Sequence, residues 1–216
     1  MEWTVLSGVP DDQRQLVLRA ATRRRFRKGD TLFYEGDLGD TLHLIEKGFV
    51  AVRVTTRRGD VVTLDVYGPG EAVGELALVL PAARRTACVV ALEPTETRML
   101  DRAAFEDLCR RHPQVQAVMM QILATKIERQ GQLLAQALHE AADDRVRRHV
   151  VRLAEMFADH ESARIPLTQE DIASMAGTTR PTVNKVLREM EDAGLVVLGR
   201  GRVEVPDRTR LAKLVR

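Results

Sequence analysis

Two kinds of hydrophobic repeat follow one another along the 216 residues, and the change between them divides the chain. From residue 26 to residue 100, apolar side chains come in short runs such as TLFYEG, TLHLIEKG, FVAVRVTT, DVVTLDVYGPGE and RRTACVVAL. Glycines at 29, 36, 39, 48, 59, 68, 70 and 74 separate them. Short strand-like runs between turn formers at this spacing predict a β-roll or β-barrel. RRGD (57–60) supplies a hairpin turn between VAVRVTT and VVTLDV.

After Pro113 the repeat lengthens. Gly131 is the one glycine or proline from there to about Leu138. Met120, Ile127, Leu134 and Ala141 recur every seven residues, with Leu123, Gln130 and Ala137 between them. These are the a and d positions of a heptad seam. A helix of about 26 residues is about 39 Å long, more than one small core needs. The seam favours a parallel contact between two copies of the chain, with packing on the protein's own roll as the alternative.

The third segment is IPLTQEDIASMAGTTRPTVNKVLREMEDAGLVVLGRGRVEV. Thr168 can cap a helix with Asp171 at its third position, a capping-box spacing. Ile172, Met175 and Ala176 give that helix a buried face, and Gly177 suits the turn that follows. Thr178 or Thr179 can cap a second helix with Pro181 in its first turn, where a missing N–H costs nothing. Val183, Val186, Leu187 and Met190 form the inward stripe. Opposite lie Pro181, Asn184, Lys185 and Arg188, with Arg180 at the leading end. Gly194 ends the helix, and two strands follow, joined by a glycine turn carrying Arg200. Two short helices, the second basic and exposed, and then a β-wing make a winged helix-turn-helix, whose second helix reads the major groove of duplex DNA. Arg180 is placed for a bidentate contact to guanine. Thr182, Lys185 and the wing arginines are placed for phosphates. A helical hairpin with a merely solvated basic face is the plainer alternative.

Composition narrows this further. A hydrophobic share of 44% with 30% charged residues is ordinary for a soluble protein. Aromatics at 4% argue against a surface that stacks single-stranded bases. From Thr178 onward there are nine Lys/Arg against five Asp/Glu, a surplus of four on a chain of net charge +2. The basic carboxy-terminal end fits a nucleic-acid partner. Cys88 and Cys109 stand alone, which reads as reduced thiols. The amino-terminal MEWTVLSGVPDDQ lacks the pattern of a signal peptide. No apolar run approaches the roughly 20 residues that span a bilayer, so no membrane association and a cytoplasmic location are expected. Neither a kinase lysine–aspartate set, a GxxxxGK[ST] loop nor a nucleophile triad is present, so no enzymatic activity is expected.

The remaining chemistry sits in GELALVLPAARRTA (74–87). The turn from Gly74 through Glu75 and Leu76 to Ala77 can aim backbone N–H groups at an anion. Arg85 adds a planar fork for phosphate oxygens and Thr86 a hydroxyl donor. Ionised Glu75 only accepts hydrogen bonds, so beside a phosphate it would serve a donor such as a ribose hydroxyl. From spacing alone, an Arg–Glu pair bracing a barrel is at least as common.

This stretch resembles the phosphate-binding cassette of cyclic-nucleotide-binding domains. GDLGDTLHLIEKG (36–48) is similar to a glycine-bounded strand of the same domains, with His43 in place of the usual apolar residue. With the long helix and LTQEDIASMAGTTRPTVNKVL, the chain resembles, over roughly residues 10 to 205, the cyclic AMP receptor protein (CRP/FNR) family of bacterial transcription regulators. The resemblance implies an α+β protein: a cyclic-nucleotide-binding β-roll over 1–110, a dimerisation helix over 111–139 and a winged helix-turn-helix over 140–216. It makes Glu75 the partner of the ribose 2′-hydroxyl. Arg85, Thr86 and the backbone of 74–77 would hold the cyclic phosphate, and Val52 and Leu64 would line the base pocket. The two hydroxyl residues that meet the base in the family fall at Gln130 and Gly131, a departure; Gln130 reads equally as a register-fixing polar residue of the seam. Asp65, beside the pocket, would favour a donor-bearing edge such as guanine's or discourage an anionic ligand, and Arg84 would face solvent. Cyclic AMP leads, with cyclic GMP, another nucleotide or no ligand open. The implied partners are a near-palindromic duplex operator, a second copy of the chain and RNA polymerase. RRRFRK (23–28) reads as a solvated strand edge ahead of a polymerase-facing surface. An iron–sulfur sensor needs an amino-terminal cysteine set that is missing, and haem ligation by His43 or His112 is a minor alternative. A ligand-independent regulator of the same fold is the runner-up.

Overall fold

The computed structural model describes residues 3–4, 9–80 and 84–215. Part of the amino-terminal stretch and residues 81–83 of the cassette lie outside the described residues. Two compact units divide at the junction of Gln130 and Gly131.

In the first unit, α1 (Asp11–Ala20) leads into β1 (Thr22–Phe26), β2 (Thr31–Phe33), β3 (Thr41–Lys47), β4 (Val50–Thr55), β5 (Val61–Tyr67) and β6 (Ala72–Val73). The short α2 (Leu76–Val79), β7 (Cys88–Ala91), β8 (Thr95–Asp101) and α3 (Arg102–Arg111) follow. The strands pair antiparallel in two four-stranded sheets, β1-β8-β3-β6 and β2-β7-β4-β5. β3 explains the arrangement. Leu42, His43, Leu44 and Ile45 are all buried, so the strand has apolar neighbours on both faces. Leu42 and Leu44 join Val17, Leu100, Leu108, Val118 and Ile122 in a core shared with helices. Ile45 joins Val50, Val73 and Val89 inside the roll. β1 is the opposite case, an edge strand whose Thr22–Arg25 are exposed. Arg23 pairs with Glu46 at 3.0 Å and Arg25 with Glu96 at 3.3 Å. Charged edges of this kind discourage strand addition.

α4 (Gln116–His139) buries Val118, Met119 and Ile122 against the first unit. Met120, Ile127 and Leu134 of the predicted seam are 71%, 70% and 61% exposed in the single chain, and Leu138 extends the row. The fourth predicted seam residue, Ala141, lies outside the helix. It is the N-cap of α5 (Ala142–Met156), with extended backbone. The chain turns there, so the seam is one position shorter than the spacing implies.

In the second unit, β9 (Ala158–Asp159) and β10 (Ser162–Ile165) precede α6 (Gln169–Met175), α7 (Arg180–Asp192), β11 (Val197–Gly199), β12 (Arg202–Val205) and α8 (Arg208–Ala212). Its sheet runs β11-β12-β10-β9. Val146, Val150 and Leu153 of α5 are buried on the face that packs against α6 and α7. No helix among the described residues is long and apolar enough to cross a membrane.

Candidate functional site

Two sites emerge, one in each unit. In the first, Gly74 follows β6 with a φ of +85°, a conformation side chains disfavour. A Cβ there would stand 2.7 Å from an Arg85 nitrogen and 2.9 Å from the Thr41 carbonyl oxygen. Glycine thus lets Arg85 close on the backbone. Arg85 is 6% exposed, and its guanidinium lies 4.0 Å over the ring of Phe33. Nη1 donates to the carbonyls of Thr41 (2.8 Å) and Gly74 (3.3 Å), and Nη2 to Thr41 Oγ1 (2.6 Å). Nε is buried with no partner, and no carboxylate lies within salt-bridge distance among the described residues. Burial lowers the Arg85 pKa from the usual arginine value, against the pull of Asp40, Asp37 and Glu75. A buried cation held by neutral oxygens keeps its charge uncompensated among the described residues, and such a charge can take an anion as partner.

Glu75 is buried as well, but it is engaged. Lys126 of α4 donates to its Oε2 at 2.7 Å. One helical turn on, Arg129 bonds Asp65 at 2.8 Å and Glu71 at 2.5 Å. Both cations stand 4.8 Å from the centre of the Tyr67 ring. Burial would lower the Arg129 pKa, but Asp65 and Glu71 outweigh it and the net shift is upward. Asp65 is engaged within the chain: Oδ2 holds Arg129 and Oδ1 accepts from the Val66 N–H at 2.8 Å.

The other expected residues fall into place unevenly. Val52 packs on the apolar interior of the roll. Leu64 is 49% exposed, because the register of β4 and β5 shifts at Val52/Arg53. Asp65 faces Val52 and Thr63 faces Arg53, so Leu64 is the extra residue of a bulge and turns outward. Ala77 spends its N–H on the Gly74 carbonyl at 3.2 Å, and Leu76 is half-buried at the start of α2. Thr86, Gln130 and Gly131 are exposed in the single chain. Arg84 is exposed and donates to the Gly36 carbonyl at 2.7 Å. Arg102 of α3 donates to the carbonyls of Ala77, Leu78 and Leu80 and so fastens the end of α2.

His43, the unusual residue in the β3 signature, is buried beside Phe26 and Phe33, with Nδ1 3.0 Å from Thr97 Oγ1. Packed this way it is a core residue, not an open haem ligand. Burial first, then Arg85 and Arg24, lower its pKa to about 4 from 6.5. A depressed pKa means that the unfolded chain takes up the proton first. The contribution of His43 to stability should therefore fall by about 3 kcal/mol as pH drops from about 6.5 to about 4, and level off below. Urea midpoints for the wild type and His43→Gln across that range check this; equal slopes in both would refute it.

In the second unit, Thr168 caps α6 in a full capping box with Asp171. α6 closes through Gly177, φ +57°, whose N–H bonds the Ser174 carbonyl while that of Thr178 bonds Ala173. This Schellman closure turns the chain into Thr179, the cap of α7. Arg145 of α5 braces the turn by donating to the carbonyls of Ala176 (2.7 Å), Gly177 (3.0 Å) and Glu140 (2.6 Å). Val183, Val186, Leu187 and Met190 are buried, which leaves Arg180, Pro181, Asn184, Lys185 and Arg188 on the open face and Thr182 half-buried. Lys185 bonds Asp143 at 2.9 Å and Arg188 bonds Glu191 at 2.8 Å. Among the described residues, Arg180 and Arg200, at the wing tip, have no carboxylate at salt-bridge distance. Both line a groove of about 510 Å³ with Gln169 and Asn184.

Residues 23–112 match the cyclic nucleotide-binding domain and residues 134–214 the Crp-like helix-turn-helix domain. The cyclic AMP receptor protein of Thermus thermophilus is 33% identical over 207 residues, covering 96% of this chain and 94% of its own. The chain belongs to the cyclic AMP receptor protein family. A CRP-like cAMP-activated global transcriptional regulator of Mycobacterium tuberculosis (strain H37Rv) is 30% identical over 88% of this chain and 87% of its own. The crystal structure of Thermus thermophilus catabolite activator protein matches at TM-score 0.55 and 32% identity, over 98% of this chain and 97% of that one. As a member of the family the protein is a DNA-binding transcription regulator and not an enzyme. Beyond the family's cassette and reading helix, sequence reasoning missed Lys126, Arg129, Thr41, Arg102, Arg145 and Gln169. The one readable signal was Lys126 and Arg129, two cations three residues apart beside the seam.

Proposed function

We propose that this protein is a homodimeric, sequence-specific transcription regulator controlled by a cyclic nucleotide, with cyclic AMP the first candidate, held between the roll and α4. Arg85 carries the reading: a buried guanidinium with an unpartnered Nε, folded over a glycine and joined to no carboxylate among the described residues. Arg85 and Thr86, with the backbone from Gly74 through Leu76 to Ala77, take the cyclic phosphate, the Ala77 N–H by leaving the Gly74 carbonyl. Glu75 takes the ribose 2′-hydroxyl, which has to displace or share Lys126. Val52 faces the base, and Gln130 and Gly131 meet its edge. Two relatives bear names that refer to cyclic AMP, which supports the choice.

Two copies pair through the exposed face of α4 and set two α7 helices about 34 Å apart on a near-palindromic operator. Arg180 reads a guanine. Lys185, Arg188 and Arg200 position the protein on phosphates, the first two exchanging a carboxylate partner for a phosphate. Affinity falls steeply with salt. RNA polymerase is the further partner in this reading.

A second reading has its own support. Lys126 and Arg129 already neutralise Glu75, Asp65 and Glu71, as in a pocket kept as scaffold for a ligand-independent regulator. A thermal-shift titration with cyclic AMP, cyclic GMP and cyclic dinucleotides separates the two. Ligand control predicts a concentration-dependent rise for one of them, about 2.7 kcal/mol of stabilisation at a hundred times its Kd. No rise with any of them, and equal operator affinity with and without each, favours the second reading.

A further inference from the structure

The groove between α7 and the wing holds a pair of amide side chains that the reading above leaves without a task. Asn184 projects from the exposed face of α7, one turn beyond Arg180. Its Nδ2 donates to Oε1 of Gln169, the first residue of α6, at 3.1 Å. Both line the groove with Arg180 and Arg200.

An exposed asparagine amide turns freely and presents its two ends in either order. Gln169 removes that freedom. Gln169 can itself turn, but with its Nε2 hydrogens on a DNA phosphate, which only accepts, its Oε1 is left to accept from Asn184 Nδ2, and this fixes which end of the Asn184 amide is oxygen and which is nitrogen. Oδ1 and the second N–H then remain as an acceptor and a donor side by side. In the major groove, adenine alone presents a donor (N6–H) next to an acceptor (N7) that a planar amide can pair with at both points. The Gln169 Nε2 hydrogens stay available for the neighbouring phosphate. Four residues on a helix rise about 6 Å, so the adenine stands one or two base steps from the guanine under Arg180.

We infer that Asn184, held in one orientation by Gln169, reads an adenine in each half-site, with Asn184 the base contact and Gln169 the positioning residue. The inference rests on the reading of α7 as the DNA-contacting helix.

The test is selection of preferred sites from randomised duplexes by the full-length protein, with each cyclic nucleotide and without, followed by affinity measurements on the selected site. The wild type should select an adenine one or two steps from a guanine in each half-site. Asn184→Ala should lose that adenine and keep the guanine, and Arg180→Ala should do the reverse. On the selected site Asn184→Ala should bind about 5- to 150-fold more weakly, while on duplexes carrying another base there its affinity should match the wild type's. Replacing the adenine by 7-deazaadenine, which lacks N7, should weaken the wild type and leave Asn184→Ala unaffected. Gln169→Ala should relax the same base pair only, a change that a purely structural role in α6 would not make. Melting curves establish that each variant is folded. An adenine preference kept in Asn184→Ala, or an equal loss on every duplex, overturns the assignment while the regulator reading stands. A folded wild type that selects no motif under any condition overturns both.

Discussion

Ile127→Asp is expected to convert the protein to a monomer and to weaken operator binding by about 10²- to 10⁴-fold. Met120, Ile127, Leu134 and Leu138 put a row of large apolar side chains on one face of α4, each more than 60% exposed in the single chain. Fully burying such a side chain contributes about 1.5–3 kcal/mol, so a row of four is ample to hold two helices together. In a parallel two-fold seam each residue at position 127 meets its own copy. Aspartate there would bury two like charges against each other, which neither dimer partner can neutralise. The loss in DNA affinity has a separate cause. Linking two half-site readers makes the second contact intramolecular, and that advantage of 10²–10⁴ disappears when the link is cut. Light scattering gives the mass and gel shifts give the affinity. Binding to random duplex should change far less, and Ile127→Leu should remain a dimer. A dimeric Ile127→Asp protein would place the subunit contact elsewhere.

The second large effect is expected at Arg85. Arg85→Leu should reduce cyclic-nucleotide affinity by at least about 30-fold, since truncating one member of a buried, hydrogen-bonded charge pair costs about 2–5 kcal/mol or more. The same change in the ligand-free protein pulls two ways. It removes a buried cation with an orphan Nε, and it takes the donors away from the Thr41 and Gly74 carbonyls. Melting in the absence of ligand should therefore shift little compared with the loss of ligand-induced stabilisation. Arg84→Leu is the control, because Arg84 is exposed and bonds only the Gly36 carbonyl among the described residues. Calorimetry on the three proteins decides the matter; undiminished affinity in Arg85→Leu would remove Arg85 from the site.

The turn chemistry and the inward stripes could be read without coordinates. Thr168, Asp171, Gly177, Thr179 and Gly194 each carry a local requirement, a cap or a left-handed backbone angle, and local requirements are written in neighbouring residues. The same holds for the period-seven row on α4 and the buried face of α7. The cassette was legible only through its resemblance to cyclic-nucleotide-binding domains, because the spacing of Gly74, Glu75 and Arg85 fits a pair bracing a barrel equally well.

Pairings over long separations were not visible. Lys126 reaches Glu75 across 51 residues and Arg129 reaches Asp65 across 64, and nothing in either segment names its partner. Such contacts depend on how α4 lies over β5 and β6, a matter of packing and not of local pattern. Leu64 shows the same limit on a smaller scale. Alternation along VVTLDVY cannot reveal a bulge, because a single register slip reverses which residues face inward. Asn184 belongs to both groups. Its place on the open face follows from helical period, whereas its fixed orientation comes from Gln169, fifteen residues earlier on a different helix.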